Sequence, residues 1–430
     1  MQTSRPRVGW ALGILVWLAG CSAAPSESPA ASQSTVALTG ARLIDGTGQP
    51  PIEPATLIIT DGRVAAVGGA GTVTVPAGAR TVDVAGKTIV PGLINAHAHL
   101  NNVDPALAPR DQILSQLRLY ARYGITTAYS LGDDGSASFD VRHEQSSAAP
   151  GGARMFMSGV GVTPKTVAEA ESTIDGHVKL GVDIIKTRLE GGPNDMKPEV
   201  YRALIARAHE RKLRVAAHIF YTADANGLVD AGLDVIAHSV RDRDVDAAFI
   251  ERLKSRGVGY IPTLTRDLSV FVYETRPAFF DDPFFLRGLD AYRGQMEQLG
   301  SPELQERTRK SEQAQSIKKA LVQANRNLKL LSDGGVAIAL GTDSGTSLGR
   351  WQGFFEHQEL AMMVEAGMTP MQALVAATGG AARVMRLDEV GTLAPGKWAD
   401  LLVLDANPLD DILNTRRINA VWMAGRQLGP

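Results

Sequence analysis

The sequence predicts an α/β protein: a (β/α)8 TIM barrel with a small β-sandwich domain formed from the N- and C-terminal segments. Apolar strand candidates alternate with helical stretches through the middle of the chain, which is the pattern of βα units around a parallel sheet. The flanking segments 36–87 and 387–430 instead show short apolar runs separated by turns. With 430 residues, 44% of them hydrophobic, the chain can form a large core and more than one domain.

The N-terminal residues predict an export signal followed by a lipid anchor. An uncharged, mostly apolar run at 8–19 follows two arginines and is shorter than the roughly 20 residues of a membrane span. The sequence LAGC then ends at Cys21, the one cysteine of the chain, and resembles the lipobox of bacterial lipoproteins. We therefore expect a signal peptide at 1–20, then a lipidated cysteine and flexible tether at 21–35. The alternative is an ordinary secretory signal with a chance cysteine.

This resemblance implies a location as well as an anchor. The acylated chain would face the periplasm of a Gram-negative bacterium. Ser22 follows the cysteine, where an aspartate would signal retention in the inner membrane, so the outer membrane is favoured. Contact with the membrane is expected through the lipid anchor only.

Residues 36–87 predict the first part of the β-sandwich. Asp61-Gly62 lies between the apolar runs LIIT and RVAAVG, which is a strong hairpin signal. Segment 387–430 shows the same rhythm and supplies the second part. One small β-domain built from both ends accounts for both segments.

Residues 88–386 predict the barrel, because eight strand candidates occur there with helical stretches between them. The segment between the seventh and eighth candidates is longer than one βα unit requires, which indicates an insertion. The candidates are TIVPGLI (88–94), ITTAYS (125–130), ARMFMS (153–158), VDIIKT (182–187), LRVAAH (213–218), DVIAH (234–238), VGYIPT (258–263) and VAIALGT (336–342).

The charge balance argues against a nucleic-acid partner. The chain has 44 basic and 46 acidic residues, a net charge of −2, and no basic surplus. We expect a small-molecule substrate and no nucleic-acid partner; a homo-oligomer is possible, but the sequence does not give the number of subunits.

Metal-ligating side chains occur where predicted strands end. His97 and His99 are two residues apart, so their rings point to one side of an extended segment and suit one metal ion. In a barrel, the carboxyl ends of the strands form the active site. The polar residues that end or follow strand candidates are His97, His99, Lys186, His218, His238 and Asp343.

Three segments resemble the amidohydrolase superfamily of metal-dependent barrel hydrolases. PGLINAHAHL resembles its first-strand signature and LGTDSG its eighth-strand motif. The segment from ALVAATGGAARVMRL to DANPLDDI resembles the closing part of its imidazolonepropionase- and prolidase-like members. The resemblance covers roughly residues 36–430 and is specific for the superfamily rather than for a substrate.

The resemblance implies a binuclear site in which Lys186 reacts with carbon dioxide to form a carbamate. Apolar surroundings favour the neutral, nucleophilic amine of such a lysine. The carbamate oxygens would bridge two metals about 3.5–4 Å apart. Zn²⁺ is favoured, with Mn²⁺, Co²⁺ and Fe²⁺ as alternatives. The alternative for Lys186 is a lysine ion-paired near the barrel rim. The implied ligands are His97, His99 and Asp343 for one metal and His218 and His238 for the other.

The implied activity is hydrolysis of an amide C–N bond by a metal-activated hydroxide, with a substrate such as an N-acyl amino acid or a dipeptide. Asp343 would take the proton of the attacking water and pass it to the leaving amine. Other readings are an esterase or lactonase on the same site, a mononuclear deaminase or cyclic-amide hydrolase, and a non-catalytic binding lipoprotein. Lys186 argues against the mononuclear enzymes, and the complete ligand set argues against the binding protein.

Four further residues are candidates for contacting the substrate. Tyr221 follows the fifth strand, where many relatives carry a histidine, and its hydroxyl could donate a hydrogen bond to the substrate; the alternative is a tyrosine packed with its hydroxyl at the pocket rim. Arg188, Arg241 and Arg266 lie just past predicted strands, where one of them could pair with a substrate carboxylate; the alternative for each is an ion pair within its loop.

The insertion near 264–310 is rich in aromatic residues. It follows a strand and therefore emerges from the catalytic face. One expectation is a wall that favours bulky apolar acyl groups; the other is that the aromatics pack the insertion against the barrel or a second subunit. Seven aromatics lie here: Phe271, Tyr273, Phe279, Phe280, Phe284, Phe285 and Tyr292.

Overall fold

In a computed structural model of the protein, the described residues are 35–100, 106–145 and 151–429. The predicted signal peptide, Cys21 and nearly all of the predicted tether lie outside these ranges. Within them we find no helix with the length and apolarity that crossing a bilayer demands.

Strands and helices alternate through the middle of the described chain, and strands dominate at both ends. The strands are β1 (Thr35–Leu43), β2 (Ile52–Thr60), β3 (Arg63–Gly69), β4 (Arg80–Asp83), β5 (Thr88–Pro91), β6 (Leu93–Ala98), β7 (Ile125–Ser130), β8 (Arg154–Met157), β9 (Ile185–Arg188), β10 (Val215–His218), β11 (Val235–Ala237), β12 (Gly259–Ile261), β13 (Leu401–Leu404), β14 (Ile418–Met423) and β15 (Arg426–Gln427). The α-helices are α1 (Pro109–Arg122), α2 (Ser136–Gln145), α3 (Val167–Leu180), α4 (Pro198–Glu210), α5 (Thr222–Asp230), α6 (Ala247–Arg256), α7 (Leu264–Phe271), α8 (Leu289–Leu299), α9 (Pro302–Lys310), α10 (Glu312–Asp333), α11 (Phe354–Glu365), α12 (Pro370–Ala376) and α13 (Gly379–Met385).

Local sequence fixes the ends of several helices. At the start of α3, the Thr166 hydroxyl accepts a hydrogen bond from the backbone N–H of Glu169, and the Glu169 carboxylate accepts one from the backbone N–H of Thr166. The same helix ends at Gly181, whose φ of 74° suits glycine. Helix α6 begins behind the carboxylate cap of Asp246 and ends at Gly257, which is also left-handed.

One eight-stranded sheet combines both ends of the chain, in the order β15-β14-β13-β5-β1-β2-β3 with β4 also paired to β1. Strand β13 runs antiparallel to β5, so that Leu402 pairs with Val90. The predicted hairpin at Asp61-Gly62 is confirmed, because Thr60 of β2 pairs with Arg63 of β3 across those two residues. The sheet encloses its own apolar cluster, which includes residues from both termini.

The middle of the chain contains two ladders of parallel strands, β6-β7-β8 and β9-β10-β11-β12. Isolated parallel bridges link Val162 to Thr187, Tyr260 to Ile338 and Ala98 to Ser344. The eighth strand candidate, 336–342, is therefore represented by bridged residues rather than by a strand. The mixed α/β class that the sequence predicts is confirmed.

The first strand candidate divides between two sheets. Residues 88–91 form β5 of the eight-stranded sheet, and the parallel ladder begins only with β6 at Leu93. Gly92 lies at the junction, where an added Cβ would meet the Thr126 hydroxyl oxygen at 2.1 Å. The close approach of β7 therefore requires glycine here, and the chain passes from one sheet to the other at that point.

The aromatic insertion packs inward as a scaffold. Phe280, Phe285 and Tyr292 are buried, and the ring of Phe285 lies 5.1 Å from that of Trp351 and 5.1 Å from that of Phe354. None of the seven insertion aromatics lines the cavity that contains the predicted ligands. The expected apolar wall is therefore not found among the described residues, and the alternative, packing of the insertion against the rest of the protein, is what we observe.

Candidate metal centre

The six predicted metal-site residues line one cavity of about 360 Å³. Three of them end or directly follow strands β6, β10 and β11, His97 lies near the end of β6, Lys186 lies within β9, and Asp343 lies beside β6 next to the bridged Ser344. All of these segments run parallel, so their carboxyl ends meet at the same edge of the ladders. The residues are His97, His99, Lys186, His218, His238 and Asp343.

His97 and His99 both approach one oxygen of Asp343. The Nε2 atom of His99 lies 2.9 Å from Asp343 Oδ1, and the Nε2 atom of His97 lies 3.4 Å from it. The backbone of Asp343 is tied to the same strand, because its N–H donates to the His97 carbonyl at 2.7 Å. On the far side of its ring, His99 Nδ1 lies 3.2 Å from the carbonyl oxygen of Gly132, an arrangement that leaves Nε2 free to face the cavity.

His218 and His238 form the other side of the cluster. Their ring centroids are 4.2 Å apart, and the ring of His238 lies 4.5 Å from that of His97. The Nδ1 atom of His238 lies 2.7 Å from the Thr263 hydroxyl oxygen, so this ring is also held from behind. A histidine held by a hydrogen bond at one nitrogen presents the other in a fixed direction, which suits a metal ligand.

Lys186 is buried at the centre of the cluster. Its Nζ atom lies 3.1 Å from His97 Nε2. Burial lowers the pKa of Lys186 to about 7, although the Asp343 carboxylate opposes that shift. Much of the side chain is therefore a neutral amine near neutral pH, which is the form that reacts as a nucleophile.

Asp343 is ionised despite its burial. Burial alone would raise the pKa of this carboxyl, but the Arg350 guanidinium and the neighbouring histidines hold it well below its usual range. The pKa values of His97, His218 and His238 are lowered well below that of free histidine, chiefly by burial. The cluster therefore offers neutral imidazoles and a carboxylate, which are the forms that bind metals.

The donor set fits a divalent metal. Ligand atoms of His97, His238 and Asp343 all lie within 4.8 Å of one another. The Nδ1 atom of His97 is buried without a hydrogen-bond partner among the described residues. Nitrogen and carboxylate oxygen donors in this arrangement suit Zn²⁺ and similar ions.

Unusual backbone conformations concentrate at this site. Asp133, His238, Thr263 and Asp343 all have positive φ, at 64°, 74°, 49° and 58°. Non-glycine residues seldom adopt this region, and they keep it only where the surrounding structure enforces it. The surrounding structure therefore holds these four residues in place.

Helix α11 supports the site from below with two buried glutamates. Oε1 of Glu356 accepts hydrogen bonds from Asn95 Nδ2 at 2.6 Å, the Thr342 hydroxyl at 2.8 Å and the Ser344 hydroxyl at 2.7 Å. These contacts lock together the segments that carry the His-x-His pair and Asp343. Sequence reasoning missed Glu356; the available signal was two glutamates in a run with six apolar residues, FFEHQELAMM.

The second of these glutamates, Glu359, holds the start of α7. It accepts hydrogen bonds from the backbone N–H groups of Leu264 and Thr265, both at 2.7 Å. Arg266 is the next residue of this helix, so Glu359 fixes the backbone from which a cavity-lining side chain extends.

The predicted substrate residues separate into two groups. Arg188 and Arg266 line the cavity. Arg241 does not: it is buried beneath the site, where its Nε lies 3.0 Å from an oxygen of Asp267 and its guanidinium stacks on Phe220. Its charge is already paired, so a substrate carboxylate has no access to it.

Tyr221 also lies outside the cavity lining. Its side chain is 40% exposed, and its ring lies against Gly191, next to the cavity-lining Glu190. The structure therefore places the tyrosine at the rim rather than among the ligands.

Arg350 is a cavity residue that the sequence analysis did not identify. It lines the same cavity, and its Nη1 forms an ion pair with Asp343 Oδ2. No local pattern marks it, because it lies in the irregular loop between Asp343 and α11.

Comparison with known proteins places these features in context. Residues 300–428 match the model of the amidohydrolase family. An uncharacterized protein of Mycobacterium tuberculosis is 26% identical over 412 residues, covering 90% of this chain and 95% of that protein. Ochratoxinase of Aspergillus niger is 25% identical over 279 residues, which cover 60% of this chain and 49% of the enzyme.

A similar fold is known from a crystal structure. The structure of a prolidase candidate from Bifidobacterium longum superposes with a TM-score of 0.76 at 26% sequence identity. The match covers 92% of this chain and 95% of that protein, and therefore includes both the eight-stranded sheet and the parallel ladders.

Proposed function

Because this chain is a member of the amidohydrolase superfamily, we propose that it hydrolyses an amide bond of a small molecule at a binuclear metal centre. It is a metal-dependent hydrolase of carbon–nitrogen bonds. The observation that carries the proposal is the convergence of four histidines, a lysine and an aspartate on one cavity. Packing alone does not explain six such side chains at the ends of separate parallel segments.

We propose that residues 88–386 close into a (β/α)8 barrel. In support, the isolated bridges connect the two ladders through residues 162 and 187, and connect β12 to β6 through residues 338 and 344. Residues 36–87 and 387–430 would form the β-sandwich. The strand pairing favours a sandwich, since β1 divides one edge between β4 and β5, as expected where a sheet splits into two layers.

His97, His99 and Asp343 would hold one metal ion, and His218 and His238 the other, with Zn²⁺ favoured by the donor types. Lys186 would join them as a carbamate, in which its amine nitrogen bonds to the carbon of carbon dioxide and loses a proton. Its burial, its contact with His97 at 3.1 Å and its pKa of about 7 favour this reaction. When bound, divalent metal ions polarise a carbonyl oxygen and lower the pKa of water.

The described residues also account for the proton transfers. In amide hydrolysis, a water oxygen bonds to the carbonyl carbon, the C–N bond breaks and the leaving nitrogen gains a proton. Asp343 is placed to take the water proton and return it to that nitrogen, because it is a buried carboxylate at the centre of the cluster. Glu356 holds the strand segments on either side of it in register.

The substrate we propose is an N-acyl amino acid or a dipeptide. The cavity, about 360 Å³, is of the size that small-molecule sites have, and its walls are mainly polar and charged. Cavity-lining guanidinium groups suit a substrate with a free carboxylate.

A hydrolysis screen tests this proposal. The zinc-loaded protein is incubated with N-acyl amino acids, dipeptides and the matching esters and lactones, and released amine and acid are quantified. We expect amine release from the amides, loss of that release with a chelator, and its recovery on adding zinc back. Cleavage of esters without any amide cleavage would replace the proposal with an esterase or lactonase.

We also propose that the protein is lipid-anchored through Cys21 and faces the periplasm, in the outer membrane of a Gram-negative cell. Cys21→Ala is expected to move most of the protein from the membrane fraction to the soluble fraction, since acyl chains supply stable anchoring. Fractionation of a Gram-negative expression host, with Ser22→Ala as the matched control, measures this. Equal membrane-bound amounts of Cys21→Ala and the wild type would disprove the anchor.

A further inference from the structure

Arg350 reaches the reaction centre from the loop that follows Asp343. Its Nη1 forms an ion pair with Asp343 Oδ2 and donates a hydrogen bond to the Thr346 hydroxyl at 2.8 Å. Its Nε donates to the Ser269 hydroxyl at 3.2 Å. The remaining amino group, Nη2, has no acceptor among the described residues, and the side chain lines the catalytic cavity. Two nitrogens of the guanidinium, Nε and Nη1, are thus already hydrogen-bonded, and Nη2 can donate to a ligand in the cavity.

The insertion holds this loop in place. The Tyr273 hydroxyl donates to the Gly349 carbonyl and accepts from the indole N–H of Trp351 at 2.8 Å. The Gly349 N–H donates to the Gln295 side-chain oxygen at 3.0 Å, and the Tyr292 hydroxyl donates to the carbonyl of residue 352. Both sides of Arg350 are therefore anchored by the insertion, so the guanidinium is positioned by rigid contacts rather than by a free loop.

The cavity around Arg350 is rich in cations. Arg188 and Arg266 line it together with Arg350, against the carboxylates of Asp133, Glu190 and Asp343. Arg266 already donates to Asp267 at 2.7 Å, and Arg188 is 60% exposed at the rim. Arg350 is therefore the buried guanidinium in closest contact with the proposed proton acceptor, whereas the Nε atom of Arg266 lies 3.9 Å from Asp343 Oδ2.

We propose that Arg350 recognises an anionic group of the substrate, and that binding this group draws the guanidinium away from Asp343. The inference rests on the proposed function and specifies its substrate class as amides that carry a carboxylate. While Arg350 pairs with Oδ2 of Asp343, that oxygen is occupied as a proton acceptor. A substrate carboxylate offers the guanidinium an equivalent bidentate partner and releases the oxygen. A neutral substrate offers no such partner, and the contact with Asp343 persists.

The test compares an anionic with a neutral substrate of the same shape, N-acetyl-L-alanine and N-acetyl-L-alaninamide. The readout is the ratio of their kcat/KM values, with kcat and KM resolved. We expect the wild-type zinc enzyme to favour the anion at least about tenfold, the scale of one charge-assisted hydrogen bond. Arg350→Gln should bring the ratio close to one, and Arg350→Lys should restore part of it by returning the charge. The control Arg326→Gln, at an exposed arginine of α10 outside the cavity lining, should keep the wild-type ratio.

A binding measurement separates this inference from the proposed activity. N-Methanesulfonyl-L-alanine and its carboxamide, which lack the scissile carbonyl, are titrated into the zinc enzyme in a calorimeter. We expect at least about tenfold tighter binding of the anion by the wild type and loss of that difference in Arg350→Gln. Arg350-dependent binding without any amide cleavage would reject the proposed function and keep the inference. Amide cleavage with an unchanged preference in Arg350→Gln, or a preference lost in Arg326→Gln, would reject the inference.

Discussion

Replacing Lys186 with alanine is expected to remove one or both metal ions and to reduce hydrolysis by more than about a hundredfold, because losing even an indirect support of a metal ligand costs 10–100-fold. The substitution deletes the proposed bridging anion and leaves a gap beside His97. Lys186→Arg should fail as well, since a guanidinium stays protonated and forms no carbamate. Metal content by elemental analysis and kcat/KM for the best amide found in the screen measure both effects.

Short carboxylic acids provide a second readout for the same variant. Acetate or propionate can enter the gap left in Lys186→Ala and supply two oxygens in place of the proposed carbamate, so partial recovery of turnover is expected. Lys179→Ala, an exposed lysine at the end of α3, is the control and should retain wild-type metal content and activity. Two metals per subunit and full activity in Lys186→Ala would refute the carbamate.

Replacing Asp343 with asparagine is expected to lower kcat by about 10²–10⁴-fold, the usual contribution of a general acid–base group. An amide of nearly the same shape cannot take up the proton of water or return it to the leaving nitrogen. Because the group acts in the transition state, kcat and kcat/KM should fall together. Steady-state kinetics on one amide substrate, with metal content measured in parallel, tests this.

Asp281→Asn is the control for this substitution, since Asp281 is paired with Arg276 far from the cavity and its loss should leave kcat unchanged. An Asp343→Asn enzyme that keeps its metals and turns over within a few-fold of the wild type would show that another group moves the proton. If Asp343→Asn instead loses metal while remaining folded, the main role of Asp343 is metal binding.

The substitutions of Lys186, Asp343 and Arg350 alter side chains of the same cluster. Asp343 contacts His97 and His99 through one oxygen and Arg350 through the other. The effects of Asp343→Asn and Arg350→Gln should therefore not add, because residues that share a partner are energetically coupled. A double variant no worse than Asp343→Asn alone is the expected result.

The sequence by itself determined the mixed α/β class and predicted the six residues that the structure brings to one cavity. The strand candidates at 125–130 and 153–158 match β7 and β8 to within a residue, because each is a short apolar run bounded by turn residues. The histidines and Lys186 could be identified because each ends or directly follows such a run. Parallel strands bring their carboxyl ends to one edge of the sheet, so residues at the ends of separate strands lie close together in space.

Only the tertiary structure decided which charges are available and what the insertion does. Arg241 and Arg266 look alike in sequence, yet one is buried against Asp267 and the other lines the cavity. Glu356 reaches Asn95 across 261 residues of chain, and the Tyr273 hydroxyl meets the Gly349 carbonyl across 76. The periodicity of apolar residues predicts which side of a helix or strand is buried. It does not predict which side chain, distant in the sequence, packs against that side. Those pairings depend on packing of the whole chain, and here they position Arg350 beside Asp343.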